Sequence, residues 1–140
     1  MGRMKTNPGN FFEDFTVGQV IDHATPRTIT EGDRALYGAI YPTRFAIPSS
    51  AEFAATVGLT PHPVEELIGF HVAFGKTVPD VSLNAVANLG YAEGRFLAPV
   101  YPGDTLQIQI WQRGDTAHFR CLVPARDNEV VLDFGHAELA

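Results

Sequence analysis

The stretch GFHVAFGKTVPDVSLNAVA (residues 69–87) decides the fold of this 140-residue chain. Beyond Gly75, five small or apolar side chains share one face at helical spacing, namely Val78, Val81, Ser82, Ala85 and Val86. Pro79 fits only the first turn of a helix, so we expect this helix to begin close to Gly75 and to cover 76–87. Residues 69–74 are either a strand or a buried helical turn. A helix this apolar is typical of one around which a sheet wraps.

Shorter elements precede this central segment. Residues 19–29 have the pattern of a strand. Thr30 is suited to cap a helix that follows it, and Ser49 or Ser50 is suited to cap a second one. Pro63 is expected to open a third helix, which would carry two glutamates in its first turn.

The C-terminal third is predicted to be a run of strands separated by Gly, Pro, Asp and Asn turns, at 88–97, 106–112, 118–123 and 130–139. Helices followed by antiparallel strands indicate an α+β domain. A sheet wrapped around one buried helix is the hot-dog fold. We therefore expect residues 1–140 to form a single hot-dog domain.

Composition excludes several classes of protein. Ten Lys and Arg against 16 Asp and Glu give a formal charge of −6, which argues against a nucleic-acid partner. The single cysteine, Cys121, allows neither an internal disulfide nor a thiolate metal cluster. The histidines at 23, 62, 118 and 136 lack metal-ligand spacing, so we expect no metal and no cofactor.

Targeting signals are not apparent in the sequence. No apolar run approaches the roughly 18 residues that a membrane span requires. Arg3 and Lys5 lie in the first ten residues without an apolar run behind them, so we expect no signal peptide. A cytoplasmic protein with no membrane association is the expectation.

Two stretches resemble MaoC-like hydratases: NFFEDFTVGQ (10–19) and RFLAPVYPGDTL (95–106). Two more, HATPRTITEGD (23–33) and FGKTVPDVSLNAVANLGYAE (74–93), resemble the N-terminal half of the mesaconyl-CoA hydratase branch. The resemblance extends to about residue 112. It implies an enoyl-CoA hydratase-type lyase that acts on a small branched or dicarboxylic acyl-CoA thioester.

The resemblance also shows what this chain lacks. MaoC-like hydratases move protons with an Asp and a His in an Asp-x-Asn-x-x-His pattern, and here Thr43 and Pro48 fall at those two positions. Neither residue can act as an acid or a base in that role. We therefore expect the site to be completed by a second hot dog, in a homo-oligomer or a hetero-oligomer.

The remaining site residues come from the same resemblance. Gly75 matches the glycine whose amide holds the thioester oxygen, at the expected start of the central helix. Arg95 and Phe96 match the region that holds CoA. Lys76 would either meet a CoA phosphate or be solvated. Arg44 would either pair with a substrate carboxylate or make a structural loop contact.

Two further candidates have weaker support. His71 is either an acid or base near the thioester or a buried histidine bonded to backbone. Asp80 either activates water, as in hot-dog thioesterases, or only interacts with the helix dipole. Two functions outside the hydratase class therefore stay open: a non-catalytic acyl-CoA-binding or scaffolding subunit, and an acyl-CoA thioesterase.

Overall fold

The computed structural model describes residues 8–113 and 116–139. Arg3 and Lys5, on which the expectation about a signal peptide rests, lie outside the described residues. So do Gly114 and Asp115 of the expected turn after residue 112.

The N-terminal region forms short elements before the first long helix. A 3₁₀ turn covers Phe12–Asp14, β1 covers Val20–Asp22 and β2 covers Arg27–Thr28. The predicted single strand over 19–29 is therefore divided in two, with Pro26, which has no N–H to donate to a strand partner, immediately before β2.

The helix α1 covers Glu31–Ile40, and its predicted cap is confirmed. The backbone N–H of Asp33 donates to Thr30 Oγ1 at 3.1 Å, and the Thr30 N–H donates back to Asp33 Oδ2 at 2.8 Å. This reciprocal capping box satisfies two backbone donors at the start of the helix.

The next helices are α2 (Ala46–Ser49), α3 (Ala51–Thr56) and α4 (Glu66–Thr77). Ser50 caps α3, since its side chain accepts from the Phe53 N–H. A single π-helical turn over Val78–Ser82 extends α4. The predicted central helix over 76–87 is wrong, because the helix begins at Glu66, nine residues before Gly75, and its last turn ends at Ser82.

Pro79 explains this shift. It stands in the π-helical turn, where it supplies no N–H and its ring cannot fit against regular α-helical backbone. The α-helix therefore ends at Thr77 and the chain leaves it through a wider turn. Helical spacing of apolar residues continues from α4 into the π-helical turn, so this spacing alone did not locate the start of the helix.

The strands of the C-terminal half are β3 (Asn88–Phe96), β4 (Thr105–Arg113), β5 (Thr116–Val123) and β6 (Glu129–Leu139). Their order in the antiparallel sheet is β1-β4-β5-β6-β3, and β2 also pairs with β4. All four predicted strands are confirmed to within about two residues at each end. An antiparallel sheet around a central helix confirms the α+β hot-dog fold.

The core lies between α4 and the concave face of the sheet. Strand alternation turns Leu106, Ile108 and Ile110 of β4 inward, and each is fully buried. Ile68 and Ala73 of α4 pack into the same cluster. Val78 and Val86, predicted on the buried face, are 38% and 93% exposed, because they follow the end of the α-helix.

Candidate functional site

The segment that carries the Asp–His pair in MaoC-like hydratases forms a turn and a short helix here. Thr43 Oγ1 accepts a hydrogen bond from the Phe45 N–H at 3.1 Å, so its hydroxyl stabilises the local turn. Pro48 lies within α2. Neither side chain offers a group that can move a proton near neutral pH.

A cavity of about 570 Å³ adjoins this segment. Its walls come from α2, α3, the start of α4 and the chain that follows β3, namely residues 45–48, 53, 59, 63–66 and 96–99. Most of these side chains are apolar, and Pro48 is one of them. Glu65 and Glu66 are the charged groups among the described lining residues.

The two glutamates differ in their surroundings. Glu65 is the N-cap of α4, but its side chain makes no capping hydrogen bond. Its Oε2 atom is buried without a hydrogen-bond partner among the described residues. Glu66 is exposed in the first turn of the helix. Burial raises the pKa of the Tyr37 phenol, and the nearby negative charge of Glu65 raises it further.

Gly75 is not at the start of a helix. It lies in the last turn of α4, where a backbone N–H is used within the helix. The argument that its amide would be a free donor there is therefore wrong. The amides without an i−4 partner are in the first turn of α4, next to the cavity, where the Ile68 N–H donates instead to the Glu65 carbonyl at 3.0 Å. A role for Gly75 toward a thioester oxygen remains a prediction.

His71 lies on the exposed side of α4. Its ring is 5.8 Å from that of Tyr37 and 5.6 Å from that of Phe70, measured between centroids. The interpretation as a buried histidine bonded to backbone is therefore wrong. An acid–base role for His71 remains a prediction.

Asp80 takes part in a pairing that the sequence analysis missed. Its Oδ2 lies 2.5 Å from Nδ1 of His23, whose side chain is only 9% exposed. The residues are 57 positions apart, so no local pattern connects them. A water-activating role for Asp80 remains a prediction, but its carboxylate is already bonded to an imidazole.

Lys76 and Thr25 extend this pairing. Nε2 of His23 is 3.2 Å from Thr25 Oγ1, and the Lys76 ammonium donates to that oxygen at 2.9 Å. In the neutral tautomer that carries its proton on Nδ1, toward Asp80, Nε2 would accept from the threonine hydroxyl. The Lys76 ammonium is therefore hydrogen-bonded within the chain. Its contact with a CoA phosphate remains a prediction.

The other three predicted contacts are exposed. The guanidinium of Arg44 lies 4.9 Å from the centroid of the Phe45 ring, which lines the cavity. Arg95 is exposed on β3. Phe96 is 40% exposed and lines the cavity at the end of that strand. Phe96 and Phe45, whose ring lies under Arg44, therefore line the same cavity. Lys76 and Asp80 lie near the opposite end of the central helix.

In residues 8–113 and 116–139, no cluster of three or more His, Cys, Asp or Glu side chains could hold a metal ion. Among the helices that the structure describes, none combines the length and apolar character needed to cross a membrane.

Glu65 is the cavity residue that the sequence analysis did not single out. The sequence feature that could have drawn attention to it is the pair of glutamates after Pro63.

A sheet around one helix, with a cavity at the N-terminal end of that helix, defines a hot-dog domain. The chain belongs to the MaoC-like domain family: the model described as "MaoC like domain" matches residues 13–132.

Two curated relatives are similar in sequence. The β-methylmalyl-CoA dehydratase of Chloroflexus aurantiacus is 69% identical over 102 residues, which cover 73% of this chain and 29% of that protein. The mesaconyl-CoA hydratase of Cereibacter sphaeroides is 64% identical over 106 residues, which cover 76% of this chain and 31% of that protein. The chain thus spans about a third of the length of these relatives.

Solved structures agree on the fold. A putative MaoC domain protein dehydratase from Chloroflexus aurantiacus superposes with a TM-score of 0.87 at 52% identity, over 99% of this chain and 42% of that chain. A Mycobacterium tuberculosis protein described as having a double hot-dog fold superposes with a TM-score of 0.76 at 25% identity, over 94% of this chain and 44% of that chain.

Proposed function

We propose that this chain is one hot-dog unit of an enoyl-CoA hydratase-type lyase, which acts on a small branched or dicarboxylic acyl-CoA thioester. One observation carries the proposal: the cavity at the start of α4 is largely apolar and has Pro48 in its wall. Such a cavity suits the binding of an acyl thioester. The strong similarity to a hydratase and a dehydratase of CoA thioesters supports the same substrate class.

Catalysis requires a second hot dog. Hydration needs a base for water and an acid for the carbon centre, and Thr43 and Pro48 supply neither. A second copy of this chain would lack the same groups. The proposed partner is therefore a hot dog that carries an Asp and a His, on a separate chain or in the same one. The chain would contribute substrate binding, and its partner proton transfer.

An exposed apolar face offers the place for this partner. Its members lie on α1, α4 and β3 and are Leu36, Ile40, Leu67, Leu89 and Tyr91, each at least 40% exposed. The three elements adjoin, since the Tyr37 and His71 rings connect α1 to α4 and the Phe74 and Tyr91 rings connect α4 to β3. β3 is also the end of the strand order, where a neighbouring strand can be added.

The proposal includes a cytoplasmic location, because acyl-CoA thioesters are intracellular metabolites. Cys121, which is buried and free, is compatible with a reducing compartment.

Mixing experiments test the proposed function. The purified chain alone should not reduce the absorbance of an enoyl-CoA thioester, and activity should appear on mixing with a hot-dog protein that bears the Asp–His pair. The control is that partner without this chain. Hydration by this chain alone would contradict the need for a partner, and acyl-CoA binding without activity in any mixture would favour a binding subunit. Release of free CoA thiol would instead favour the thioesterase.

A further inference from the structure

The hydroxyl of Thr25 lies between an imidazole and an ammonium group. Its Oγ1 is 3.2 Å from Nε2 of His23 and accepts from the Lys76 ammonium at 2.9 Å. His23 in turn faces Asp80, with Nδ1 2.5 Å from Oδ2. A carboxylate, an imidazole and a hydroxyl therefore follow one another, with a cation beside the hydroxyl. This cluster adjoins the C-terminal end of α4, whereas the cavity adjoins its start.

These distances are typical of an activated nucleophile. Such a nucleophile is a hydroxyl about 2.6–3.2 Å from a base that a third group orients. A carboxylate at Nδ1 of His23 favours the tautomer that carries its proton there, so Nε2 can take the proton of the hydroxyl. The Lys76 ammonium stabilises the negative charge that develops on oxygen during attack.

The cluster combines a fixed base with an accessible nucleophile. The His23 side chain is only 9% exposed, and its pairing with Asp80 holds the ring in place. Thr25 is exposed, so an acyl donor can approach it from solvent. His118 offers a comparison, because its Nε2 pairs with Asp133 at 2.6 Å but its Nδ1 has no hydrogen-bond partner among the described residues. That second histidine–carboxylate pair therefore has no hydroxyl to activate.

We infer that Thr25 is a site of covalent acylation, where its hydroxyl takes an acyl group from an acyl thioester. Oγ1 bonds to the carbonyl carbon while its proton passes to Nε2 of His23. The carbon–sulfur bond then breaks, and the thiolate leaves with that proton as a free thiol. A thiolate is a better leaving group than an alkoxide, so the ester on Thr25 accumulates. The inference does not rest on the proposed function, because this site is separate from the cavity.

Acetyl-CoA tests the inference on the purified intact chain, with mass spectrometry as the readout. The native chain should gain one acetyl group on Thr25 and release one thiol, and alkaline hydroxylamine should remove the label, as it does for an ester. Thr25→Ser should keep the label and Thr25→Val should lose it. Both substitutions are at an exposed position, so the fold is retained.

Two variants test the neighbours of the hydroxyl. Lys76→Met should slow labelling by at least about tenfold, because the developing negative charge loses its cation. Asp80 is a positioning residue, and Asp80→Asn should slow labelling by at least about tenfold because no charge then stabilises the imidazolium. The rate is measured in buffer where circular dichroism shows the Asp80→Asn chain to be folded, so a merely structural role would leave it unchanged.

Thr28→Val and His118→Gln are the matched controls. The Thr28 hydroxyl is bonded to that of Thr105 instead of to a histidine, and His118 pairs with a carboxylate but not with a hydroxyl. Both variants should be labelled as fast as the native chain. An unlabelled native chain, equal labelling of Thr25→Val, or an acetyl amide on Lys76 in place of the ester would each overturn the inference. Hydratase activity in the mixing assay with an unlabelled Thr25 would overturn only the inference. A labelled Thr25 without activity in that assay would overturn only the proposed function.

Discussion

His23 and Asp80 form a partly buried pair that joins the start of the sheet to the end of the central helix. His23 follows β1 and Asp80 lies in the π-helical turn after α4, with Nδ1 and Oδ2 2.5 Å apart. The backbone carbonyl of His23 also accepts from Gln107 Nε2 at 2.6 Å, and the carbonyl of Asp80 accepts from Asn10 Nδ2 at 2.8 Å. The pair therefore belongs to a network that holds the helix against the sheet.

Replacing either member of this pair should lower the free energy of unfolding. His23→Ala leaves a half-buried carboxylate without its donor, so we expect a loss of about 2–3 kcal/mol. Asp80→Asn keeps an acceptor for Nδ1–H and should cost only about 1 kcal/mol. Urea titration measures both, with His71→Ala as the exposed histidine control. Equal effects of His23→Ala and His71→Ala would contradict the importance of the pair.

Asp33 makes the stability of α1 dependent on pH. Hydrogen bonds from Arg27 hold the pKa of the Asp33 carboxyl well below its ordinary range, with help from Thr30 and against the effect of burial. A lowered pKa means that the stabilisation is complete above the unfolded pKa of about 4 and is lost as pH falls below it. Asp33→Asn should therefore cost about 1 kcal/mol at pH 7 and make acid unfolding less steep.

Thermal melts between pH 2 and 7 compare the stability of the native chain with that of Asp33→Asn. Glu52→Gln, which removes an exposed carboxylate from the first turn of α3, controls for the change in net charge. If Glu52→Gln and Asp33→Asn change the loss of melting temperature at low pH equally, net charge rather than the pairing of Asp33 with Arg27 causes the pH dependence.

Gly94 is required where an aromatic ring lies against β3. A Cβ built on Gly94 would be 2.5 Å from Cζ of Phe134, whose ring stacks on that of Phe119 at 5.3 Å in the core. Gly94→Ala must displace this ring pair, so we expect a loss of about 1–3 kcal/mol. Gly90→Ala, on the same strand with open space around its Cβ, should change stability by less than about 0.5 kcal/mol. A similar urea midpoint for both variants would contradict the close packing.

Cys121 should be inert in the folded protein. It is fully buried on β5, and this burial raises the pKa of its thiol to about 12. Because the thiolate is the reactive form, a disulfide reagent should label no thiol in the native state and one thiol after unfolding in urea. The labelling rate should match the rate of unfolding measured by circular dichroism. Rapid labelling of the native chain would show that β5 is accessible.

Leu67 tests the proposed partner face. It is 44% exposed on α4, and a charge at this position would be buried in the complex without a counter-ion. Leu67→Lys should weaken binding of the catalytic hot dog by at least about tenfold, as measured by light scattering or calorimetry. Val17→Lys is the control, because Val17 is 75% exposed in the N-terminal segment and outside this face. Equal weakening by both variants would point to net charge instead of the α4 surface.

Much of the fold could be predicted from local sequence. Thr30 marked one helix start, and Ser49 or Ser50 marked a second, which the structure assigns to Ser50, because a capping side chain acts within three residues of itself. The turns after residues 101 and 123 separated the strands for the same local reason. Pro63 and the two glutamates after it marked a helix start close to that of α4. The helix was not continued through Gly75 because residues 69–74 suit a strand or a helix equally well, and only packing against the sheet decides between them.

The sequence by itself determined the positions of the four C-terminal strands, the absence of usable bases at Thr43 and Pro48, and the likeness to one family, since each depends on residue identity or on neighbours along the chain. Tertiary structure alone decided that His23 meets Asp80 across 57 positions and that Glu65 Oε2 is buried at a cavity. Contacts between distant segments follow from how the sheet closes on α4, and a carboxylate at a helix start carries no sign of its burial. The candidate site was expected at a helix start near Gly75, whereas the cavity lies at the start of α4, at Glu66.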